Sequence, residues 1–191
     1  AELFFSNWKK NNLKIDLKEN KSILKISYRD TDKAIILPAL NKISKNYQSY
    51  SKIHPFSYAG ENINYESGDE IVVLNHMNTN LGASICYDLR FPILFNVLSN
   101  YCSAVICIAN WPSSRIDNWY SLLKARAIEN QLFMIGVNRT GEDGNNISYE
   151  KSSTIFTPSG KLLKPLFTKD ELDVYEVNFD EVSYIRKNFD T

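Results

Sequence analysis

Apolar residues along this chain gather in short runs that differ in kind. Residues 3–5, 34–37, 71–74, 81–86, 104–109, 133–137 and 153–157 have the length of strands and are bounded by polar or turn-forming residues. Two of these runs, Ala-Val-Ile-Cys-Ile-Ala at 104–109 and Phe-Met-Ile-Gly-Val at 133–137, are apolar without alternation. A strand with one wet face alternates, so an unbroken run predicts a strand covered on both faces. Between the two, Trp119, Leu122, Leu123, Ala127 and Ile128 recur at spacings of three and four. That period predicts an amphipathic helix over residues 114–130. Residues 91–99 are a second helical candidate, with Pro92 in the first turn, where a missing N–H costs nothing. Gly141-Glu-Asp-Gly-Asn-Asn reads as a turn cluster and Pro158-Ser-Gly160 as a hairpin turn. The pattern is that of a sheet-rich α/β domain.

One connection does not fit. After the run at 34–37 come Pro38, Ala39, Leu40 and Asn41, and then a strand-like stretch at 45–50. A parallel partner needs a crossover of about a dozen residues or more, which this interval cannot hold. Either the connection is a hairpin, or the chain as written lacks a segment near 38–41.

Composition narrows the classes. A chain of 191 residues is long enough for one well-buried core, so a single domain over residues 1–191 is expected. Hydrophobic residues make up 43% and charged residues 23%, ordinary for a globular protein, and the formal net charge is zero. Without a positive excess there is no electrostatic basis for nucleic-acid binding. No apolar run approaches the roughly 20 residues that span a bilayer, so no membrane partner is expected. Three cysteines, without a CxxC pair, fit a reduced, cytoplasmic protein rather than a disulfide framework or a metal site.

The candidate chemistry lies at the end of the fourth run, Gly82-Ala-Ser-Ile-Cys86-Tyr-Asp-Leu-Arg-Phe-Pro92. A strand that hands over to a helix projects a nucleophile, and a helix N-terminus lowers a thiol pKa and offers free N–H groups. The N–H of Tyr87 would then face an oxyanion formed at an acyl carbon attacked by Cys86. A cysteine in an apolar strand is otherwise core filling.

The stretch Cys86-Tyr-Asp-Leu-Arg-Phe-Pro92 resembles the nucleophile motif of the nitrilase superfamily, the carbon–nitrogen hydrolases. Three further stretches resemble that family in its order: Tyr50-Ser-Lys-Ile-His-Pro-Phe-Ser-Tyr-Ala-Gly-Glu61; Ala109-Asn-Trp-Pro112 followed by Leu123-Lys-Ala-Arg-Ala-Ile-Glu-Asn130; and Gly136-Val-Asn-Arg139. The details are most similar to the ω-amidase branch. The resemblance implies a four-layer αββα sandwich and a Glu-Lys-Cys triad; no metal or organic cofactor is expected, since neither metal-ligand spacing nor a glycine-rich phosphate loop occurs. It also implies a homodimer or larger assembly, with Cys86 as the nucleophile and Lys52 as the cation that stabilises the tetrahedral intermediate. Glu61 resembles a second glutamate that orients lysine or substrate. Trp111 is either a pocket wall or core packing, and Arg90 meets either a substrate carboxylate or a structural acid. Arg126 and Glu129, three apart on a helix, read as a structural ion pair.

The family's first glutamate follows the proline that ends its second strand, whereas Pro38 is followed here by Ala39. The absent base coincides with the absent crossover, so a segment lacking near 38–41 accounts for both. The leading expectation is a cysteine-dependent amidase that releases ammonia from a small linear amide, such as a 2-oxo dicarboxylate ω-amide, through a thioester. The alternatives are hydrolysis of nitriles or N-carbamoyl compounds, an inactive binding or oligomer module, and a Cys-His hydrolase with His54 or His76 as base.

Overall fold

The computed structural model of the chain describes residues 13–16, 23–28, 49–76, 79–169 and 172–189. In chain order the strands are β1 (Leu13–Asp16), β2 (Ile23–Tyr28), β3 (Val73–His76), β4 (Thr79–Ile85), β5 (Ala104–Ala109) and β6 (Phe133–Asn138). The remaining strands are β7 (Gly141–Glu142), β8 (Ser148–Tyr149), β9 (Thr154–Phe156), β10 (Phe167–Lys169) and β11 (Leu172–Glu176). The α-helices are α1 (Glu61–Asn64), α2 (Pro92–Ser99), α3 (Ile116–Asn130) and α4 (Asp180–Asn188). No described helix is long and apolar enough to cross a membrane. The runs expected at 3–5 and 34–37 and the break near 38–41 lie outside the described residues, as does most of 45–50.

The chain divides into two compact units, one drawn from Ala1–Ser49 and Lys164–Asn178, the other from Tyr50–Leu163 and Phe179–Thr191. The first carries an antiparallel sheet in the order β1-β2-β11-β10, with Leu13 opposite Tyr28 and Tyr175 opposite Leu24. The second carries a five-stranded sheet in the order β3-β4-β5-β6-β9. In it β4, β5 and β6 are parallel, and β3 and β9 pair antiparallel at the two edges. An αββα sandwich needs two multi-stranded sheets together with helices, and the described residues contain both kinds of element.

Parallel neighbours require crossovers, and α2 joins β4 to β5 as α3 joins β5 to β6. Trp119, Leu123 and Ala127, four residues apart on α3, are fully buried, which is the stripe the sequence period predicts. Ile128 departs from it and is 48% exposed. The helix begins at Ile116 rather than 114, because Ser113–Arg115 forms a separate 3-10 turn. On α2, Leu94, Phe95 and Leu98 face the core while Ile93 and Val97 face outward. The unbroken apolar strands are covered as expected over Phe133–Ile135 and at Ala104, Val105 and Cys107, although Ile108 is exposed. At Pro158-Ser-Gly160 the chain turns back, with Gly160 in the left-handed region (φ 76°) and its N–H donating to Thr157 O at 2.8 Å.

Candidate active site

The parallel strands β4, β5 and β6 end at one edge of their sheet, where an open α/β sheet characteristically binds its ligands. Cys86 follows directly on β4, but it is already the first residue of a 3-10 turn, Cys86–Arg90. The strand therefore stops one residue earlier than the apolar run suggests. The turn is sharp, with Cys86 at φ 47°, a region that side chains other than glycine rarely occupy. Such a kink takes the thiol out of the ladder and leaves it half-buried. The turn is held from two sides: the N–H of Phe91 donates to Asp88 O at 2.9 Å, and Arg126 Nε on α3 donates to Leu89 O at 3.1 Å.

Lys52 and Glu61 meet at 2.6 Å, Nζ to Oε2, and the same oxygen accepts the N–H of Phe56 at 2.8 Å. Glu61 opens α1, just after Gly60 in the left-handed region (φ 72°). The backbone of Lys52 is fixed in turn, since its carbonyl accepts the N–H of Gly68 at 2.8 Å. A Cβ on Gly68 would lie 2.3 Å from Ser51 O, so this close approach requires glycine.

Burial pushes the Cys86 thiol above its ordinary range, and the Lys52 ammonium is the largest influence pulling it back. A backbone hydrogen bond from Asn110 and the charge of Arg115 act in the same direction as Lys52, while Glu61 opposes them. Lys52 thus bears electrostatically on the sulfur from a separate stretch of chain. The expectation that a helix N-terminus lowers this thiol is corrected here: α2 begins only at Pro92, and desolvation outweighs the favourable charges. Cys102 and Cys107 are buried, and that burial pushes them up to about 11 and about 12. They are packing residues, inert as nucleophiles.

The other predicted site residues each pack on aromatic rings. The Tyr87 ring lies 4.8 Å from Phe56 and 5.3 Å from Phe91. Arg90 has no acid partner among the described residues, and its guanidinium stacks 5.2 Å from the centroid of Trp111. Trp111 is 4% exposed, so it is a core residue whose ring is flanked by Trp119 and Arg90. Its backbone is gripped by buried Asn138, which accepts the Trp111 N–H at 2.7 Å and donates to the Trp111 carbonyl at 2.8 Å. The expected ion pair between Arg126 and Glu129 is present at 2.9 Å.

The two histidines fall differently. His54 hydrogen-bonds to Asp88 and stacks on Phe91 with ring centroids 3.7 Å apart, so its ring is committed to packing. His76 ends β3, opposite Thr79 at the start of β4, which puts it about 20 Å of strand away from Cys86. That separation removes His76 as a base for the thiol.

Three residues that the sequence reading left without a role belong to this region. Asp88 is fully buried in the same turn as Cys86 and receives hydrogen bonds from Tyr50 and His54; burial and then the Asp88 charge hold the Tyr50 phenol above its usual value, keeping it a donor. Arg115 is exposed, its guanidinium 5.8 Å from the Phe56 ring centroid. Asn138 lies at the end of β6. Asp88 stands inside the Cys86 motif itself, and its enclosure was the missing signal; Arg115 and Asn138 reach the site only by folding.

A family model described as carbon-nitrogen hydrolase matches residues 23–187. The chain is 40% identical over 114 residues to an omega-amidase, YafV, of Escherichia coli strain K12, covering 60% of this chain and 44% of that protein. It is 35% identical over 147 residues to a 2-oxoglutaramate amidase of Paenarthrobacter nicotinovorans, covering 74% of this chain and 50% of that one. The chain thus spans about half the length of these curated relatives. Among solved structures it resembles XC1258 of Xanthomonas campestris, a CN-hydrolase superfamily protein with an arsenic adduct in its active site. The TM-score is 0.69 at 25% identity, over 91% of this chain and 64% of that one. The α/β fold expected from the sequence is therefore of this type.

Proposed function

Because the chain belongs to the carbon–nitrogen hydrolase family, we propose that it is a cysteine-dependent amidase that cleaves a small linear amide to an acid and ammonia. The observation that carries this reading is the half-buried Cys86, held at φ 47° in the turn that ends β4, together with the 2.6 Å pair of Lys52 and Glu61. In the proposed reaction the Cys86 sulfur, as thiolate, attacks the amide carbon and the carbonyl π electrons move onto oxygen. Lys52 stabilises that oxyanion, and Glu61 holds the ammonium in place. Collapse re-forms the carbonyl and breaks the C–N bond; the nitrogen takes up the proton that the thiol gave up and leaves as ammonia. A water then attacks the thioester carbon, and the sulfur departs as the acid forms. Splitting the reaction at a covalent acyl-enzyme replaces one hard step with two easier ones.

The omega-amidase and 2-oxoglutaramate amidase relatives favour an ω-amide of a 2-oxo dicarboxylic acid as the substrate. Arg90, stacked on Trp111 without an acid partner among the described residues, supplies a cation for the carboxylate end of such a substrate. The exposed Arg115 adds positive charge near the sulfur. A panel of 2-oxoglutaramate, an uncharged amide, a nitrile and an N-carbamoyl compound, each assayed for ammonia, tests the reading. The expected order places 2-oxoglutaramate first, with kcat/KM falling roughly 10²-fold or more when the carboxylate is removed. Activity confined to nitriles or N-carbamoyl compounds would overturn it.

The Pro38-Ala39 step favours a second reading, a non-catalytic module of the same family, since the resemblance expects the base glutamate there. That module would release no ammonia from any member of the panel.

A further inference from the structure

Lys52 and Cys86 come from different stretches of chain, and one buried carboxylate connects the two. Asp88 is 0% exposed, and each of its oxygens meets two donor nitrogens or hydroxyls. Oδ1 accepts the N–H of His54 at 2.9 Å and lies 2.9 Å from His54 Nδ1. Oδ2 accepts the Tyr50 hydroxyl and the N–H of Ile85, each at 2.9 Å. A carboxylate has about four acceptor sites, and all four are used. The donors are arranged with a purpose that sequence spacing makes plain: Tyr50 and His54 stand two residues before and two residues after Lys52, and Ile85 immediately precedes Cys86.

We propose that Asp88 is a positioning residue that fixes Lys52 against Cys86 by clamping both flanks of the lysine to the turn that carries the thiol. The proposal rests on the reading that Lys52 and Cys86 act together. A buried carboxylate is costly unless its hydrogen bonds are satisfied, so the clamp closes only when both segments are in place. Packing stiffens the same joint, because the His54 ring lies flat on Phe91, in the residues just after the turn, with an interplanar angle of 6°. The ionisable groups around the joint are Tyr50, Lys52 and His54 on one segment and Cys107 on β5, with Glu61 and Arg115 also acting on the thiol.

Asp88→Asn tests this. An asparagine offers one acceptor oxygen and turns an NH₂ toward two of the four donors, so the clamp loses about half its bonds. Lys52 then drifts, its pull on the thiol weakens, and the sulfur becomes harder to deprotonate. At fixed pH near neutrality, alkylation of Cys86 by iodoacetamide should slow about tenfold, with the midpoint of its pH profile about one unit higher. A misplaced ammonium should also lower kcat roughly 10²-fold with KM little changed. Lys52→Met separates positioning from general destabilisation, because Asp88→Asn should shift the alkylation profile no further once the ammonium is gone. An additive shift in the double variant, or a folded Asp88→Asn protein with the parent's profile, overturns the proposal. Should Asp88→Asn fail to fold, Tyr50→Phe removes a single donor and should move the profile in the same direction; an unchanged profile would equally overturn it. Alkylation needs no turnover, so a shift in a protein that releases no ammonia sustains the clamp while removing the amidase reading.

Discussion

Cys86→Ala is expected to abolish ammonia release, by on the order of 10⁴-fold or more, while leaving the protein folded. The loss follows from chemistry rather than packing. In the proposed reaction the sulfur forms the bond that replaces C–N, and no other described thiol can stand in, since Cys102 and Cys107 are buried while Cys86 is partly accessible. Cys86 packs at the margin of the core cluster, so trimming one sulfur removes only part of the contact there. Cys86→Ser should recover little, because a hydroxyl is a far weaker nucleophile than a thiol at neutral pH. Thermal unfolding within a few degrees of the parent, alongside lost ammonia release, is the expected pair of results. Undiminished release from Cys86→Ala would mean that the nucleophile lies elsewhere.

Lys52→Met should cost roughly 10²–10³-fold in kcat, the loss expected when one preorganised oxyanion-stabilising group is removed. Methionine keeps most of the stem and deletes the charge. Burial already holds the thiol above its ordinary range, and Lys52 is the main influence opposing that burial. Deleting the ammonium therefore raises the thiol further, so the reactive thiolate forms only at higher pH. The rising limb of both the ammonia-release and the alkylation profiles should move to the alkaline side. Glu61 keeps its bond from the Phe56 N–H at 2.8 Å, which limits the structural damage. An unmoved pH profile with parental kcat would show that the lysine serves only as a partner for Glu61.

How much of this was legible beforehand depends on whether a feature is local. The order of strands and helices from β4 to β6 could be read from apolar runs and a helical period, because each element carries its own pattern over consecutive residues. Cys86, Lys52 and Glu61 could be singled out from motifs as candidates. The contact between Lys52 and Glu61 spans nine residues, close enough for the motif to imply it. Other features were harder. Strands β1 and β2 read Leu-Lys-Ile-Asp and Ile-Leu-Lys-Ile-Ser-Tyr, in which interspersed lysines give the look of a charged opening stretch rather than of short strands. Helix α4 has one buried residue, Val182, and its anchor is Arg186, which donates to the carbonyls of Cys102 and Asn130 at 3.2 Å each. Those partners are distant in sequence, so no periodicity announces them. Burial raises the thiol where the strand-to-helix pattern predicts lowering, because a motif shows the neighbouring turn but not its enclosure. Asp88 shows the same gap: its letter was visible, while its four donors converge only on folding.

The most direct test of the central claim is the intact mass of the protein, quenched in acid during turnover of 2-oxoglutaramate, followed by mapping of any adduct. An acyl group equal in mass to the substrate less ammonia is expected on Cys86 and absent from Cys86→Ala. Steady ammonia release with Cys86 unmodified, or with the acyl group on another residue, would contradict that claim.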